Sequence, residues 1–528
     1  MKRISYLKVL ALTLAITVFS CGKDDGPDTP DPVAQTPEIT SFSPASGPVG
    51  TTVEMNGKNF STTKADNTVK FNGQVASVQL ATTTKLTVTV PNGATDGAIS
   101  VKVGDKTATS SSAFTVTEEN TAPESITLSQ TELTLSTFSL TSLQITNLGE
   151  FDSPQVVWEV DNSDVIEVDD EGQVFGLQAG TATVTVTIGE LTAQCTVTVE
   201  PSVFIAGYDG DEAIVWINGN KLFSHEAVGN WEYSASAIAK SVHVTGKDVY
   251  VAVIEEDGDT NRAAGWKNDV NLFVSENYSA AHAIAENSDG VLFLGYINFG
   301  NYRTTGYWTT EGTSNYLIDD PDTGVSGAYS YGDKIYATGE KWIENVANCQ
   351  FYELGAMAMA MDIGTPLFPY GSFGKAIYVD ETGEHIAGYD YNEGGKTVAK
   401  LWTNNGDTEV QFSNGTTNAK ALAVHGNGEG LIVVGGTIRN GVNEGWVWIQ
   451  GLDGYNVKLT EEGISGMVNG VYVHDGSIYA VGYEDHSQDE FIYTPMLWIL
   501  DLQGNLVEEI QMANNSGVSS EAFSVFVK

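Results

Sequence analysis

Residues 471–482 read VYVHDGSIYAVG: an alternating apolar run, a turn carrying Gly476, and a second apolar run that closes on Gly482. The same figure recurs as YSYGDKIYATG at 329–339 and VHVTGKDVYVAV at 242–253. Alternation on both sides of a Gly- or Asp-bearing turn is the mark of a short antiparallel hairpin. Aligned on the residue that closes the second run, seven copies fall at Gly207, Val253, Gly295, Gly339, Gly388, Gly435 and Gly482, spaced by 46, 42, 44, 49, 47 and 47 residues.

Each copy holds two more strands. One carries an aromatic residue: Trp216, Trp266, Trp308, Phe351, Trp402, Trp448 or Trp498. The other is short: KLFS, NLFVSE, NYLID, TPLFP, EVQFS, NVKLT and NLVEEI. Four short strands in roughly 45 residues is one blade of a β-propeller, so residues 202–528 read as seven blades. The first copy lacks an innermost strand of its own, and the chain ends in EAFSVFV at 521–527. That segment is expected to complete blade 1 and close the ring, which leaves no open sheet edge. With strands named A to D from the axis outward, the A–B and C–D turns are short, and the B–C and D–A connections on the other face are expected to be longer and more varied.

Upstream, residues 37–116 carry Pro37, Ile39, Phe42, Pro44, Gly47-Pro48-Val49-Gly50-Thr51, Val53, Gly57 and Phe60. This segment resembles an IPT/TIG domain. Residues 123–200 carry Trp158, Ser163, Val165, Gly172, Val174, Gly176, Ala179-Gly180-Thr181-Ala182 and Val184, and resemble a bacterial Ig-like group 2 domain. Both resemblances imply immunoglobulin-like sandwiches, with Trp158 between the sheets of the second. The fold class is thus all-β: two Ig-like β-sandwiches followed by a seven-bladed β-propeller.

At the start, Lys2, Arg3 and Lys8 precede a short apolar run at 9–20, too short to cross a bilayer and of the length of a signal segment. It ends in Val18-Phe19-Ser20-Cys21, which resembles a bacterial lipobox despite the bulky Phe19. The resemblance implies removal of residues 1–20 and lipidation of Cys21. Gly22-Lys23-Asp24-Asp25 is similar to the surface-export signal of Bacteroidota lipoproteins, and residues 21–36 read as a flexible acidic linker. The expected location is the outer membrane, lipid-anchored, facing the cell exterior.

Charge excludes some partners. With 25 basic and 68 acidic residues the net charge is −43, which repels nucleic acid and anionic membrane surfaces. Yet 41% of residues are hydrophobic and only 18% charged, enough apolar surface to fill several cores. Cys195 and Cys349 fall in different domains and read as free buried thiols.

No catalytic pattern survives inspection. There is no HExxH, the seven histidines lack metal-ligand spacing, and Gly463-Ile464-Ser465-Gly466 only approaches a nucleophile elbow. Gly394-Gly395-Lys396-Thr397 lacks the upstream glycine of a phosphate loop, since residue 390 is Asp. Partial calcium ligation by Asp209-Gly210-Asp211 or Asp257-Gly258-Asp259 stays open; otherwise no cofactor is implied.

What remains is a set of aromatic and polar residues on the B–C and D–A face: Tyr208, Trp231, Tyr302, Arg303, Trp342, Tyr370 and Tyr391, with Tyr389, Tyr483, Asp209 and Asp390 nearby. Trp446 reads as packing. Flat rings beside donors and acceptors suit a sugar, whose C–H face stacks and whose hydroxyls hydrogen-bond. In architecture the chain resembles surface glycan-binding lipoproteins of Bacteroidota. The reading is a non-catalytic lipoprotein that captures polysaccharide or oligosaccharide, with the Ig-like domains as spacer. A protein-binding adhesin or scaffold is the alternative, and a polysaccharide-degrading propeller enzyme the third.

Overall fold

The computed structural model describes residues 35–528 apart from 119–122, 152–153, 228–234, 258–259, 277, 301, 317–320, 355–358, 363–370, 405–407, 427, 429, 451–455, 488–491 and 516. Cys21, Trp231 and Tyr370 lie outside the described residues. The chain divides into two compact units, residues 1–123 and 124–528.

In the first unit the alternating strands Thr52–Lys58, Asn67–Phe71, Lys85–Thr89 and Gly97–Val103 turn every second side chain inward. Val53, Met55, Phe71, Leu86, Val88, Ile99, Val101 and Phe114 form its core. This is the first Ig-like sandwich.

The second unit begins with the other sandwich. Glu132–Ser136, Val156–Val160, Gly180–Ile188 and Leu191–Glu200 make one sheet, and Leu140–Ser142, Ile166–Val168 and Gln173–Gly176 the other. Cys195 is fully buried between them with Ile166, Val174, Val184 and Val197, and Trp158 packs half-buried against this core. Both Cys195 and Cys349 are free thiols.

Seven four-stranded antiparallel sheets follow, blades 1 to 7 in chain order. The innermost strands of blades 2 to 7 are Ser236–Thr245, Ser279–Asn287, Thr323–Tyr331, Ser372–Asp380, Asn418–Gly426 and Ser465–His474. Blade 1 takes its innermost strand from the C-terminal segment: Ser520–Val527 pairs with Val203–Asp209. Ser202 and Lys528 seal the seam with backbone bonds of 2.9 and 3.1 Å. Asp209 pins its other end, accepting from the Ser520 hydroxyl at 2.5 Å and the Asn515 amide at 3.0 Å.

The repeated aromatic of strand C is what holds blade to blade. Trp216, Trp266, Trp308, Phe351, Trp402, Trp448 and Trp498 are all buried. Trp308 packs with Tyr250 and Ala252 of the preceding blade, Trp498 with Val434, and Trp216 with Val481 across the seam. Trp446 donates its Nε1–H to Thr437 Oγ1 at 3.1 Å and packs with Trp448's neighbours.

Two expectations are corrected. The outermost strand of blade 4 is Met359–Asp362, not TPLFP at 365–369. Residues 363–370 lie outside the described residues. Several B–C connections are also tight rather than long. Blade 1 turns at Gly210, blade 4 at Glu344-Asn345 and blade 6 at Asn440-Gly441, each within a ladder that runs to the turn. These residues take left-handed φ of 64°, 50° and 67°, 53° and 84°, as two-residue hairpin turns require. Trp342 therefore sits on the strand Lys334–Ile343 rather than in a loop.

The second sandwich is fastened to the A–B face of the propeller. The Thr137 hydroxyl donates to the Lys528 carbonyl at 2.9 Å and accepts from the Ser202 amide at 3.0 Å. Phe138, at φ 63°, sets its ring edge-on to Phe204 of blade 1 at 5.0 Å. Lys247, in the A–B turn of blade 2, pairs with Glu167 and lies 4.8 Å over Phe175.

Candidate functional site

Every innermost strand is broken by one bulge, always at the same level. The extra residues are Lys240, His282, Ser326, Lys375, Leu422, Asn469 and Phe523, one from each blade. A bulged residue has no partner across the ladder and is turned out of the pleat. All seven line a central bore of about 700 Å³.

In six of the seven blades a glycine closes the apolar run and packs against the innermost strand just before the bulge. A Cβ on Gly207, Gly295, Gly339, Gly388, Gly435 or Gly482 would lie 1.8–2.0 Å from a carbonyl oxygen of the innermost strand, two residues before the bulge. Only glycine admits that approach without displacement. Blade 2, with Val253 there, keeps its bulge at Lys240.

Below the bulge ring the bore is lined by a collar of rings. Three residues further along the same strands stand His243, Tyr329, Tyr378, His425, Tyr472 and Phe526, with Ala285 in blade 3. Their contacts form a chain: Tyr329–Tyr378 at 4.9 Å, Tyr378–His425 at 5.0 Å, His425–Tyr472 at 4.4 Å, Tyr472–Phe526 at 5.2 Å and Phe526–His243 at 5.1 Å. Burial pushes the His425 imidazole down to about 4, with His474 adding to the effect.

Above the ring, on the D–A side, the wall is cationic and aromatic. Lys240 lies 3.7 Å over the Phe523 ring. Lys375 lies 5.5 Å over Phe373 and 5.8 Å over Tyr389, and Lys420 lies 5.0 Å over the same tyrosine. Burial lowers the ammonium of Lys240 and that of Lys420, the latter helped by Lys375. His282 is held at about 3 by burial and then by the charges of Lys240, Lys375 and Arg303. Across the bore, Glu521 accepts from Asn469 Nδ2 at 3.0 Å and from the Tyr208 hydroxyl, and burial raises its pKa.

The residues singled out in sequence divide accordingly. Trp342 (41% exposed) and Tyr391 join Phe373 and Tyr389 in one shelf at the mouth. Phe373 stacks on Tyr389 at 5.0 Å; Trp342 meets it edge-on at 6.1 Å and Tyr391 at 6.3 Å. Tyr208 faces the bore beside Phe523 at 6.0 Å. Arg303 is committed to Glu340 at 3.1 Å and lies over Tyr296 at 4.9 Å. Tyr302, on the other side of that strand, packs on Phe299 at 5.9 Å away from the shelf. Asp209 is spent on the seam, and Asp390 on a buried pair with Lys400 at 2.5 Å. Sequence reading missed Phe373, Lys240, Lys375 and Lys420. The signal was present: lysines stand inside three otherwise apolar innermost strands.

Among the described residues no group of three or more His, Cys, Asp or Glu side chains converges as a metal site. Residues 37–117 match the family model described as the IPT/TIG domain, and residues 122–199 that of the bacterial Ig-like domain, group 2. A search of curated proteins returned no match. Similar solved structures include an auxiliary nutrient binding protein from Bacteroides thetaiotaomicron, 11% identical, covering 91% of this chain and 98% of that one, at TM-score 0.25. Another, from Bacteroides ovatus, is 13% identical, covering 75% and 94%, at TM-score 0.26. Apo AztD from Citrobacter koseri is 10% identical, covering 62% and 97%, at TM-score 0.32. At these scores the likenesses carry no argument about ligand.

Proposed function

We propose that the chain is a lipid-anchored, outer-membrane capture protein that holds polysaccharide or oligosaccharide at the D–A mouth of its propeller. The anchor is Cys21, and the location rests on the signal segment and on the Lys-Asp-Asp run that follows. One observation carries the binding reading. The shelf of Trp342, Phe373, Tyr389 and Tyr391 meets, through Lys375 over Phe373 and Tyr389, an open bore of about 700 Å³. The exposed Trp342 ring gives a sugar its stacking surface, and the bore supplies donors nearby. Capture needs no chemistry, and many anchored copies on one cell add avidity. Affinity electrophoresis of residues 22–528 against plant, host and microbial polysaccharides tests the reading, beside Trp342→Ala and Tyr391→Ala. Retardation by a polysaccharide that weakens in both variants supports it; retardation equal in wild type and both variants moves the site off the shelf.

A further inference from the structure

Lysine carries little of this chain's composition, yet Lys240 and Lys375 both line one bore, and Lys420 shares the Tyr389 ring with Lys375. Among the described residues, Lys240, Lys375 and Lys420 have no carboxylate within ion-pair distance, while most other lysines with resolved partners sit on one. Arg303 and Glu340 cancel each other. The one buried carboxyl that Lys240 feels from the neighbouring innermost strand, Glu521, is already held by Asn469 and Tyr208. Lys240 feels Glu521 and Glu256 without touching either, and Lys420 has Lys375 as its nearest charge. What steadies these ammonium groups instead is the faces of Phe523, Phe373 and Tyr389. A chain of net charge −43 has acids to spare for pairing them, so cations left unpaired at the wall of a cavity are cations left available.

We propose that the bore seats an oxyanion: the uronate carboxylate or sulfate ester of an acidic sugar whose ring lies on the shelf of Trp342, Phe373 and Tyr389. The sugar part rests on the capture reading above; the charge rests on the bore alone. An oxyanion between Lys375 and Lys420 removes their mutual repulsion, and a partly dehydrated ammonium–oxyanion bond is stronger than a neutral one. His282, kept neutral, offers a ring nitrogen to the same group without adding charge. Electrostatics and stacking then act on the same residue of the glycan, and a neutral sugar of the same shape leaves the lysines unpaired.

Two measurements separate this proposal from the capture reading. The first titrates residues 22–528 with galacturonate, galactose 6-sulfate and galactose at low salt, following tryptophan fluorescence and calorimetry, beside Lys375→Gln, Lys420→Gln and Trp342→Ala. The expected result is saturation by at least one anionic sugar, weakened about tenfold or more in each lysine variant and by added salt, with galactose much weaker. Which anionic sugar saturates tells carboxylate from sulfate. The second is affinity electrophoresis in polygalacturonate and in its carboxyl-reduced form, and in chondroitin sulfate and its desulfated form. Retardation confined to an acidic form supports the proposal. A neutral form that binds as well as its acidic partner, unaffected by either lysine variant but lost in Trp342→Ala, overturns the oxyanion seat and leaves capture standing. Saturation by an anionic sugar with no polysaccharide retarded keeps the seat and overturns polysaccharide capture. No response to any anionic sugar overturns the seat. Circular dichroism of each lysine variant confirms that it is folded.

Discussion

Gly388 lies so close to Phe373 that a methyl group on it would stand 2.0 Å from the Phe373 carbonyl oxygen and 2.7 Å from the Trp402 ring. The glycine thereby lets its strand pack directly against Phe373, two residues before the bulge that turns Lys375 into the bore. Gly388→Ala has nowhere to put its Cβ unless the innermost strand of blade 5 moves. We expect a loss of about 2–3 kcal/mol in urea unfolding and a parallel loss of ligand affinity. Gly395→Ala, in the B–C connection of the same blade with open space around it, is the control: its φ of 69° makes it costly to stability, but it leaves Phe373 and Lys375 in place. Equal affinity losses in the two variants would contradict the assignment.

Two tryptophans test the division between scaffold and site. Trp308 is buried between blades 2 and 3, with Phe273 stacked on it at 5.9 Å. Trp308→Ala should cost about 3–5 kcal/mol, or leave the chain unfolded. Trp342→Ala removes a ring with an exposed face and a single edge contact, and should cost less than about 1 kcal/mol. Thermal unfolding of the two variants beside wild type checks this. A stable Trp308→Ala protein would mean that the blade contacts do not depend on the repeated aromatic.

That repeated aromatic is also why so much of the fold was legible. A buried aromatic once per blade, Trp in six and Phe351 in the fourth, and a glycine in six of the seven hairpins answer to packing, so they recur at near-constant spacing and show the count of seven directly. The missing innermost strand of blade 1 and the unpaired EAFSVFV segment at the end point to each other by the same logic. The site was less legible because a bulge changes the rule that reads it. Along Ser372–Asp380 strict alternation predicts which side chains face the axis, but one extra residue at Lys375 shifts the parity midway. Nothing in FGKAIYV announces that shift. Trp342 was singled out as an aromatic of the variable face, though in a loop rather than on the strand that carries it. Its shelf partner Phe373 looked like ordinary strand interior.

Thr137 joins the second sandwich to the closing seam, since it binds both the last carbonyl, at Lys528, and the first amide of the propeller, at Ser202. Thr137→Val keeps the shape and removes both bonds in a site that excludes water. The expected cost is about 1–3 kcal/mol. Because the seam is what closes the ring, the loss should appear as faster hydrogen exchange in the Ser520–Val527 strand. Exchange that increases only in the sandwich would show that the sandwich is a passenger on the propeller.

Acid should act on the collar. His425 donates its Nδ1–H to the Gly426 carbonyl at 2.9 Å, and its Nε2 has no hydrogen-bond partner among the described residues. Tyr329, Tyr378 and Tyr472 surround the ring, and His474 is the nearest like charge. The folded pKa of about 4 lies below the ordinary 6.5, so the unfolded chain takes up a proton first as pH falls. Stability is therefore full above pH 6.5, declines between about 6.5 and 4, and levels off below, for a loss on the order of 3 kcal/mol from this residue. His282, held at about 3, adds a loss of the same sign over a wider window. His425→Phe keeps an aromatic ring in the collar and removes the titrating group. It should unfold within about 1 kcal/mol of wild type at pH 7 and be more stable than wild type by about 2 kcal/mol at pH 4.5. Urea titrations at the two pH values check the crossover. A variant that declines in parallel with wild type would place the acid sensitivity elsewhere in the propeller.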